Sequence, residues 1–196
     1  MASKKSALAA PAASVAASPP WDGTVPAAAT AVVKRIEGFF AHPYDDNGAQ
    51  PGGTWTIGYG TIVDAQGHRV TPQTPAITEA EAEQLLRRDM ASAARDVQQR
   101  VQVPLRTCEA AAVISWVYNL GVGNLAKSTM LLRLNANRKS EVPAEMRKWI
   151  MQEGRPVLGL LRRRWAEAAI FGGMDATNAC VRAWREIDDL SDWPPF

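Results

Sequence analysis

An α+β chain is predicted: a helix and a small antiparallel sheet come first, then a long helix, then a mainly helical remainder. Three observations predict it. Val32, Val33, Ile36, Phe39 and Phe40 fall at helical spacing, just ahead of Thr54-Trp55-Thr56-Ile57-Gly58-Tyr59-Gly60, which alternates like a strand and carries strand-favouring residues. Thr78-Glu79-Ala80-Glu81 is a capping box, with Thr at the cap and Glu three positions later. Beyond it, Ala110, Val113, Ile114, Val117 and Leu120 sit in a nearly all-apolar run, typical of a central buried helix.

With 196 residues the chain is long enough for a substantial core. Its 46% apolar and 21% charged content is that of an ordinary globular protein, which argues against a largely disordered one. The formal charge of +2 hides an asymmetry: residues 1–99 sum to −2, residues 100–171 to +7 and residues 172–196 to −3. A basic half suits an anionic polymer, although any single Lys or Arg can equally be part of a solvated face.

Residues 1–26 are rich in Ala, Ser and Pro and read as a disordered leader. Lys4 and Lys5 ahead of an Ala run imitate a signal peptide, but Leu8 is the one large apolar residue near Pro11, so cleavage is not expected. No apolar run is long enough to span a bilayer, and stable membrane insertion is not expected.

The first helix is expected over Ala27–Phe40, with Glu37 in its last turn beside apolar side chains, where low dielectric favours a neutral acid. Trp55 to Val70 reads as a β-hairpin or short meander turning at Asp64-Ala65-Gln66-Gly67. The capping box starts a long helix with Leu86, Met90, Ala94, Val97 and Val101 on one face. Thr107 is a candidate cap for the next helix, which Gly121 and Gly123 end. Trp116, Trp149 and Trp165 lie in helical patterns and are expected in the core rather than on a sugar platform. After Gly172-Gly173, residues 174–196 form an acidic extension. Cys180 or Val181, Trp184 and Ile187 mark a short amphipathic helix there, which is expected to dock on the basic half.

Chemistry concentrates between Ile36 and Thr61. A carboxylate in the last turn of a helix, Glu37, precedes two loop carboxylates, Asp45 and Asp46, and a strand hydroxyl, Thr56. Such a set suits glycoside hydrolysis, in which one carboxyl donates a proton and the other stays ionised. His42 and His68 are far apart and no Cys/His cluster exists, so neither a metal nor a cofactor is expected. Cys108 and Cys180 are expected to stay free thiols.

Glu37-Gly38, Tyr44-x-Asp46 and Trp55-Thr56-Ile57-Gly58-Tyr59-Gly60 resemble the catalytic signature of the phage-type lysozymes, the muramidase endolysins of bacteriophages. The match continues through Tyr118-Asn119-Leu120-Gly121-Val122-Gly123, Ser128-Thr129, Trp149 and Gly159-Leu160 with Arg162-Arg163 and Glu167, and so covers about Ile36 to Phe171. The resemblance implies a small helix-plus-hairpin lobe joined by a long helix to a mainly helical lobe, with a cleft between them. It implies a lysozyme domain over residues 27–173, acting on the bond between N-acetylmuramic acid and N-acetylglucosamine. Glu37 would be the general acid, Asp46 the ionised partner and Thr56 a holder of water, on the first strand of a hairpin. Tyr118, Asn119 and Ser128 would line the sugar cleft.

Two departures from the family pattern stand out. Thr56 follows Asp46 by ten positions, wider than in the family, so Gly48 to Gly53 reads as an enlarged turn. Thr61 stands where many members carry His; it can hydrogen-bond Asp89 on the following helix but cannot form a charged pair. The expected partner is peptidoglycan, met by a monomer made in the bacterial cytoplasm. The alternatives are an inactive peptidoglycan-binding module, an antibacterial wall-degrading effector, and a nucleic-acid binder using the basic half, for which Arg162-Arg163-Arg164 is the one weak signal.

Overall fold

The computed structural model describes residues 18–46 and 53–196, so the expected enlarged turn lies almost wholly outside the described residues. Helix α1 (Ala27–Glu37) stops at Glu37, because Gly38 takes φ 70° and turns its N–H back to the Lys34 carbonyl. Phe39 and Phe40, expected on the helix, instead leave it exposed, and Phe40 opens strand β1 (Phe40–Asp45). Pro43 then keeps the chain from resuming a helix, since it cannot donate within one and disfavours helical geometry at His42. The Phe40 and Tyr44 rings meet in a tilted contact, 4.5 Å between centroids, which the irregular register of the strand between these two residues allows.

Strand β1 pairs antiparallel with β2 (Trp55–Gly58), setting Tyr44 opposite Thr56 and Asp45 opposite Trp55. The expected pairing is thus corrected. The partner of the Thr54–Gly60 stretch lies upstream, and Thr56 sits on the second strand of its hairpin, not the first. The downstream turn at Asp64–Gly67 does form, with Asp64 Oδ1 accepting from the N–H groups of Gln66 and His68 at 2.9 and 2.8 Å. Its flanks make only a single bridge, Val63 to Arg69.

Helix α2 (Glu79–Arg100) starts from the expected capping box and crosses between the two halves, burying Leu86, Met90, Ala94 and Val97. Helix α3 (Thr107–Leu120) is the central element, with Ala110–Val117 buried throughout, and it packs against α1, α2 and the later helix α7 (Leu158–Phe171). Its cap is Arg106 rather than Thr107. The Arg106 N–H bonds Glu109 Oε2 at 2.8 Å, while the Thr107 hydroxyl donates to the Pro19 carbonyl at 3.0 Å. Gly121 ends α3 at φ 81°, whereas Gly123 lies inside α4 (Val122–Lys127). Next come α5 (Thr129–Asn135), a 3-10 turn at Lys139–Glu141 and α6 (Val142–Arg147). A two-residue hairpin, β3 (Met151–Gln152) and β4 (Arg155–Pro156), precedes α7, and α8 (Ala176–Glu186) follows it. The result is the expected α+β arrangement, mostly helical, with Trp116 and Trp165 fully buried and Trp149 packed against the core.

The first end departs from expectation, and the last end departs at one residue. The reading of residues 1–26 as an unfolded leader fails from Ser18 onward. The Trp21 N–H bonds the Leu105 carbonyl at 2.8 Å, the Thr107 N–H bonds the Pro19 carbonyl at 2.8 Å, and the Trp21 ring packs on the core. Composition averages a segment, whereas Trp21 and Val25 give it apolar side chains that pack on the core. Helix α8 buries Cys180 and Ile187 as expected, together with Ala179 and Ala183, but Trp184, expected on the same face, is turned outward with Val181. Cys108 and Cys180 are free thiols, and burial pushes Cys180 up to about 11.

Candidate active site

A cleft of about 800 Å³ runs between the hairpin side and the helical side of the molecule. Glu37, Asp46 and Thr56 all line it, as do Tyr118 and Asn119. Asp46 stands exposed at the end of β1, where its Oδ1 accepts the Thr54 N–H at 2.7 Å and its own N–H bonds the Thr54 carbonyl at 3.1 Å. This reciprocal pair fixes the carboxylate at the mouth of the hairpin. Thr56 is buried, and its hydroxyl makes a long 3.5 Å contact to the Tyr44 carbonyl. Tyr44 reports on the cluster. Burial raises its phenol pKa, Thr56 opposes the rise, and the charges of Glu37 and Asp46 add to it.

Glu37, the last residue of α1, is expected among apolar neighbours, and there the structure corrects the reading. Its Oε1 accepts a hydrogen bond from Nη1 of Arg163 on α7. Arg163 is almost wholly buried and also donates through Nε to Glu167 Oε1 at 3.2 Å. The same Glu167 oxygen accepts from the Ser115 hydroxyl at 2.8 Å and from Arg164 Nη2 at 3.3 Å. Arg164 Nε lies 3.1 Å from Glu167 Oε2, and Arg164 Nη2 donates to Asn119 Oδ1 at 2.7 Å. Two guanidiniums and two carboxylates therefore form a charge-balanced network under the cleft floor.

The network distorts its cations in opposite senses. Burial pulls Arg163 down, but the charges of Glu37 and Glu167 outweigh it and hold the guanidinium above its ordinary range. Arg164 is pushed down to about 10, because burial dominates and the Glu167 attraction does not fully offset it.

Sequence reasoning missed Arg163, Arg164 and Ser115 as site residues, and gave Glu167 no role. A signal was present: three consecutive arginines in an otherwise apolar helix, with Glu167 three and four positions after Arg164 and Arg163. Such a run cannot face solvent throughout when its helix is buried. Arg163 and Arg164 point inward, while Arg162 bonds the Ile187 carbonyl at 2.8 Å, so the arginine run is not a nucleic-acid face.

Asn119 lines the cleft with its amide oxygen already engaged by Arg164. Tyr118 lines it too, and its hydroxyl donates to the Tyr59 carbonyl at 2.8 Å. Ser128 does not belong to the cleft. It is buried at the N-cap of α5, where its oxygen accepts the Leu131 N–H at 3.0 Å and donates to the Leu125 carbonyl at 2.8 Å. Its hydroxyl is consumed by helix capping, which explains a Ser at this position without any sugar. Thr61 bonds the Asp89 carboxylate, as its place in the sequence suggests.

The sequence matches the phage lysozyme family model over residues 34–167, which takes in Glu37, the hairpin and the buried arginines. It is 33% identical over 144 residues to the endolysin of Acyrthosiphon pisum secondary endosymbiont phage 1, covering 71% of this chain and 92% of that protein. The endolysin of Bacillus phage B103 is 35% identical over 117 residues, covering 60% of this chain and 43% of that longer relative. The fold matches the endolysin from Escherichia coli O157:H7 phage FAHEc1 with a TM-score of 0.67 and 31% identity, covering 78% of this chain and 95% of that one. Among the described residues no helix is long and apolar enough to cross a membrane. With a matching family model, a matching fold and a cleft that brings Glu37 and Asp46 together, the chain belongs to the phage lysozyme family and is a peptidoglycan-degrading glycoside hydrolase of that family.

Proposed function

We propose that the chain cleaves the β-1,4 bond between N-acetylmuramic acid and N-acetylglucosamine, with Glu37 as the general acid. Asp46 stays ionised, orienting water or stabilising the oxocarbenium-like transition state, and Thr56 holds that water. The observation that carries this reading is the Glu37 carboxylate, which lines a cleft beside Asp46 and Thr56 while Arg163 grips one of its oxygens from behind. A gripped carboxyl keeps one orientation, which proton delivery to a glycosidic oxygen requires. Asp46 is preferred over Asp45 because Asp46 lines the cleft, whereas Asp45 sits in the strand ladder opposite Trp55. Binding of the glycan draws on Tyr118 and Asn119. The enzyme acts as a monomer, made in the host cytoplasm and directed at the wall during phage-induced lysis.

Mass spectrometry of muropeptides after digestion tests the bond. Reducing-end muramic acid is the expected product, and an anhydro end would make the enzyme a transglycosylase instead. Glu37→Gln keeps the shape and loses the proton, so the rate should fall by about 10²–10⁴-fold. Asp46→Asn should be far more damaging than Asp45→Asn, and the reverse order would move the ionised partner to Asp45.

A further inference from the structure

Glu37 presents two different oxygens. Oε1 takes the Arg163 guanidinium, while Oε2 faces Gly60, where a Cβ would come within 3.6 Å of it. Gly60 has φ 93°, so its backbone geometry calls for glycine, while a Cβ there would meet Glu37 only at ordinary contact distance. The Tyr59–Gly60 backbone therefore walls the Oε2 side of the acid, with room for about one methyl group between them.

Three helices hold that wall. From α1, Lys34 Nζ lies 5.1 Å from the centre of the Tyr59 ring. From α2, Glu79 Oε1 accepts the Tyr59 hydroxyl at 2.7 Å. From α3, the Tyr118 hydroxyl donates to the Tyr59 carbonyl at 2.8 Å. The same phenol oxygen lies 3.9 Å from the point where a Gly60 Cβ would sit, and so approaches the Glu37 side of the wall. The first two contacts grip the Tyr59 side chain. Only the third grips its backbone, next to the peptide that leads into Gly60.

We propose that Tyr118 is a positioning residue for the general acid, its hydroxyl clamping the Tyr59–Gly60 backbone so that Glu37 Oε2 is held at the distance proton transfer needs. The inference rests on the reading of Glu37 as the acid. It also revises what Tyr118 offers a glycan: the residue lines the cleft, but its hydroxyl proton is committed to the Tyr59 carbonyl. Releasing the clamp lets the turn drift by a fraction of an ångström, and a misplacement of that order costs rate more than affinity.

The test is Tyr118→Phe in the full chain, which keeps the ring and removes the clamp. Release of reducing ends from soluble, uncross-linked glycan strands gives kcat and KM separately, below the melting midpoint of each protein. The expected result is a kcat lowered by about ten- to a hundredfold with KM changed by less than about twofold. A raised KM with unchanged kcat would make the hydroxyl a substrate contact and overturn the proposal. Unchanged kcat and KM together would overturn it equally. Glu37→Gln, run alongside, separates the two readings. An active Glu37→Gln removes the acid assignment on which this one rests. An inactive Glu37→Gln beside a Tyr118→Phe enzyme of wild-type kcat removes the clamp alone.

Discussion

Arg163 donates to Glu37 from a guanidinium that is itself only 2% exposed, so the carboxylate in the cleft is held by a cation sealed from water. The arrangement works because Arg163 has a second, fully buried partner in Glu167, and Glu167 in turn has Ser115 and Arg164. Removing one member leaves the others charged and dry. Arg163→Met should therefore destabilise by about 3–5 kcal/mol, seen in denaturant unfolding. Arg163→Lys keeps the charge but cannot fork between Glu37 and Glu167, so its kcat should fall well below wild type while it still folds. A Lys variant with wild-type kcat would mean that charge alone, without the fork, holds Glu37.

Ser128 gives a sharper contrast between a site residue and a structural one. Its hydroxyl caps α5, so Ser128→Ala should cost about 0.5–2 kcal/mol of stability. KM for glycan strands should not move, because the residue does not line the cleft. A raised KM at unchanged stability would return Ser128 to the sugar site.

How much of this was legible in the chain depends on how local each cause is. The capping box at Thr78 and Glu81 is readable because donor and acceptor lie three positions apart, and α2 begins there. The end of α1 was misread because periodicity carried through Phe39 and Phe40, whereas the positive φ of Gly38 and the presence of Pro43 decide the matter. Glu37, Asp46 and Thr56 are singled out by their order along the chain, and they line one cleft. Arg163 was not given a role, because its partner Glu37 lies 126 positions away and no local pattern couples them. Ser128 was misassigned through resemblance alone. Capping and sugar binding favour the same small hydroxyl, and only burial tells them apart.

Acid sensitivity should centre on Glu109. This carboxylate is 2% exposed, yet Lys139 Nζ at 2.8 Å, the Arg106 N–H at 2.8 Å and Arg106 Nε at 2.9 Å all donate to it. Burial alone would raise its pKa, but Lys139 and Arg106 outweigh burial and hold it below the ordinary carboxylate range. The sign follows: the native state binds fewer protons than the unfolded chain, so the stabilisation is complete above the ordinary range. It is lost as pH falls through the depressed value. Glu109→Gln should cost about 1–3 kcal/mol near neutral pH. The gap between wild type and variant should close as pH drops below about 4, followed by thermal melts.

The final prediction concerns residues 188–196, where charge and packing give opposite expectations. On charge alone, the −3 carried by residues 172–196 would mask the +7 of residues 100–171, and removing acidic residues would strengthen binding to an anionic wall at low salt. The carboxylates keep their charge, but most are held by groups of their own segment and not by the basic residues of 100–171. Asp189 accepts from Ser191, and Asp192 accepts from the N–H groups of Asp188 and Asp189. Asp188 reaches Arg162 at 3.3 Å, but with its side chain 84% exposed that pair contributes little. Packing is another matter. The Pro194 carbonyl accepts from Nε1 of the fully buried Trp165 at 2.7 Å, the Phe196 ring meets the Trp165 edge at 5.7 Å, and Arg147 lies 5.2 Å from the centre of the Trp193 ring. Deleting residues 188–196 strands a buried indole N–H and uncovers its ring, at a cost of about 3 kcal/mol, or roughly 6–12 °C in Tm. Pull-down on purified walls at low and physiological salt should differ little between the full and shortened chains. Stronger low-salt binding at an unchanged Tm would instead make the segment an electrostatic mask, with its aromatic contacts incidental.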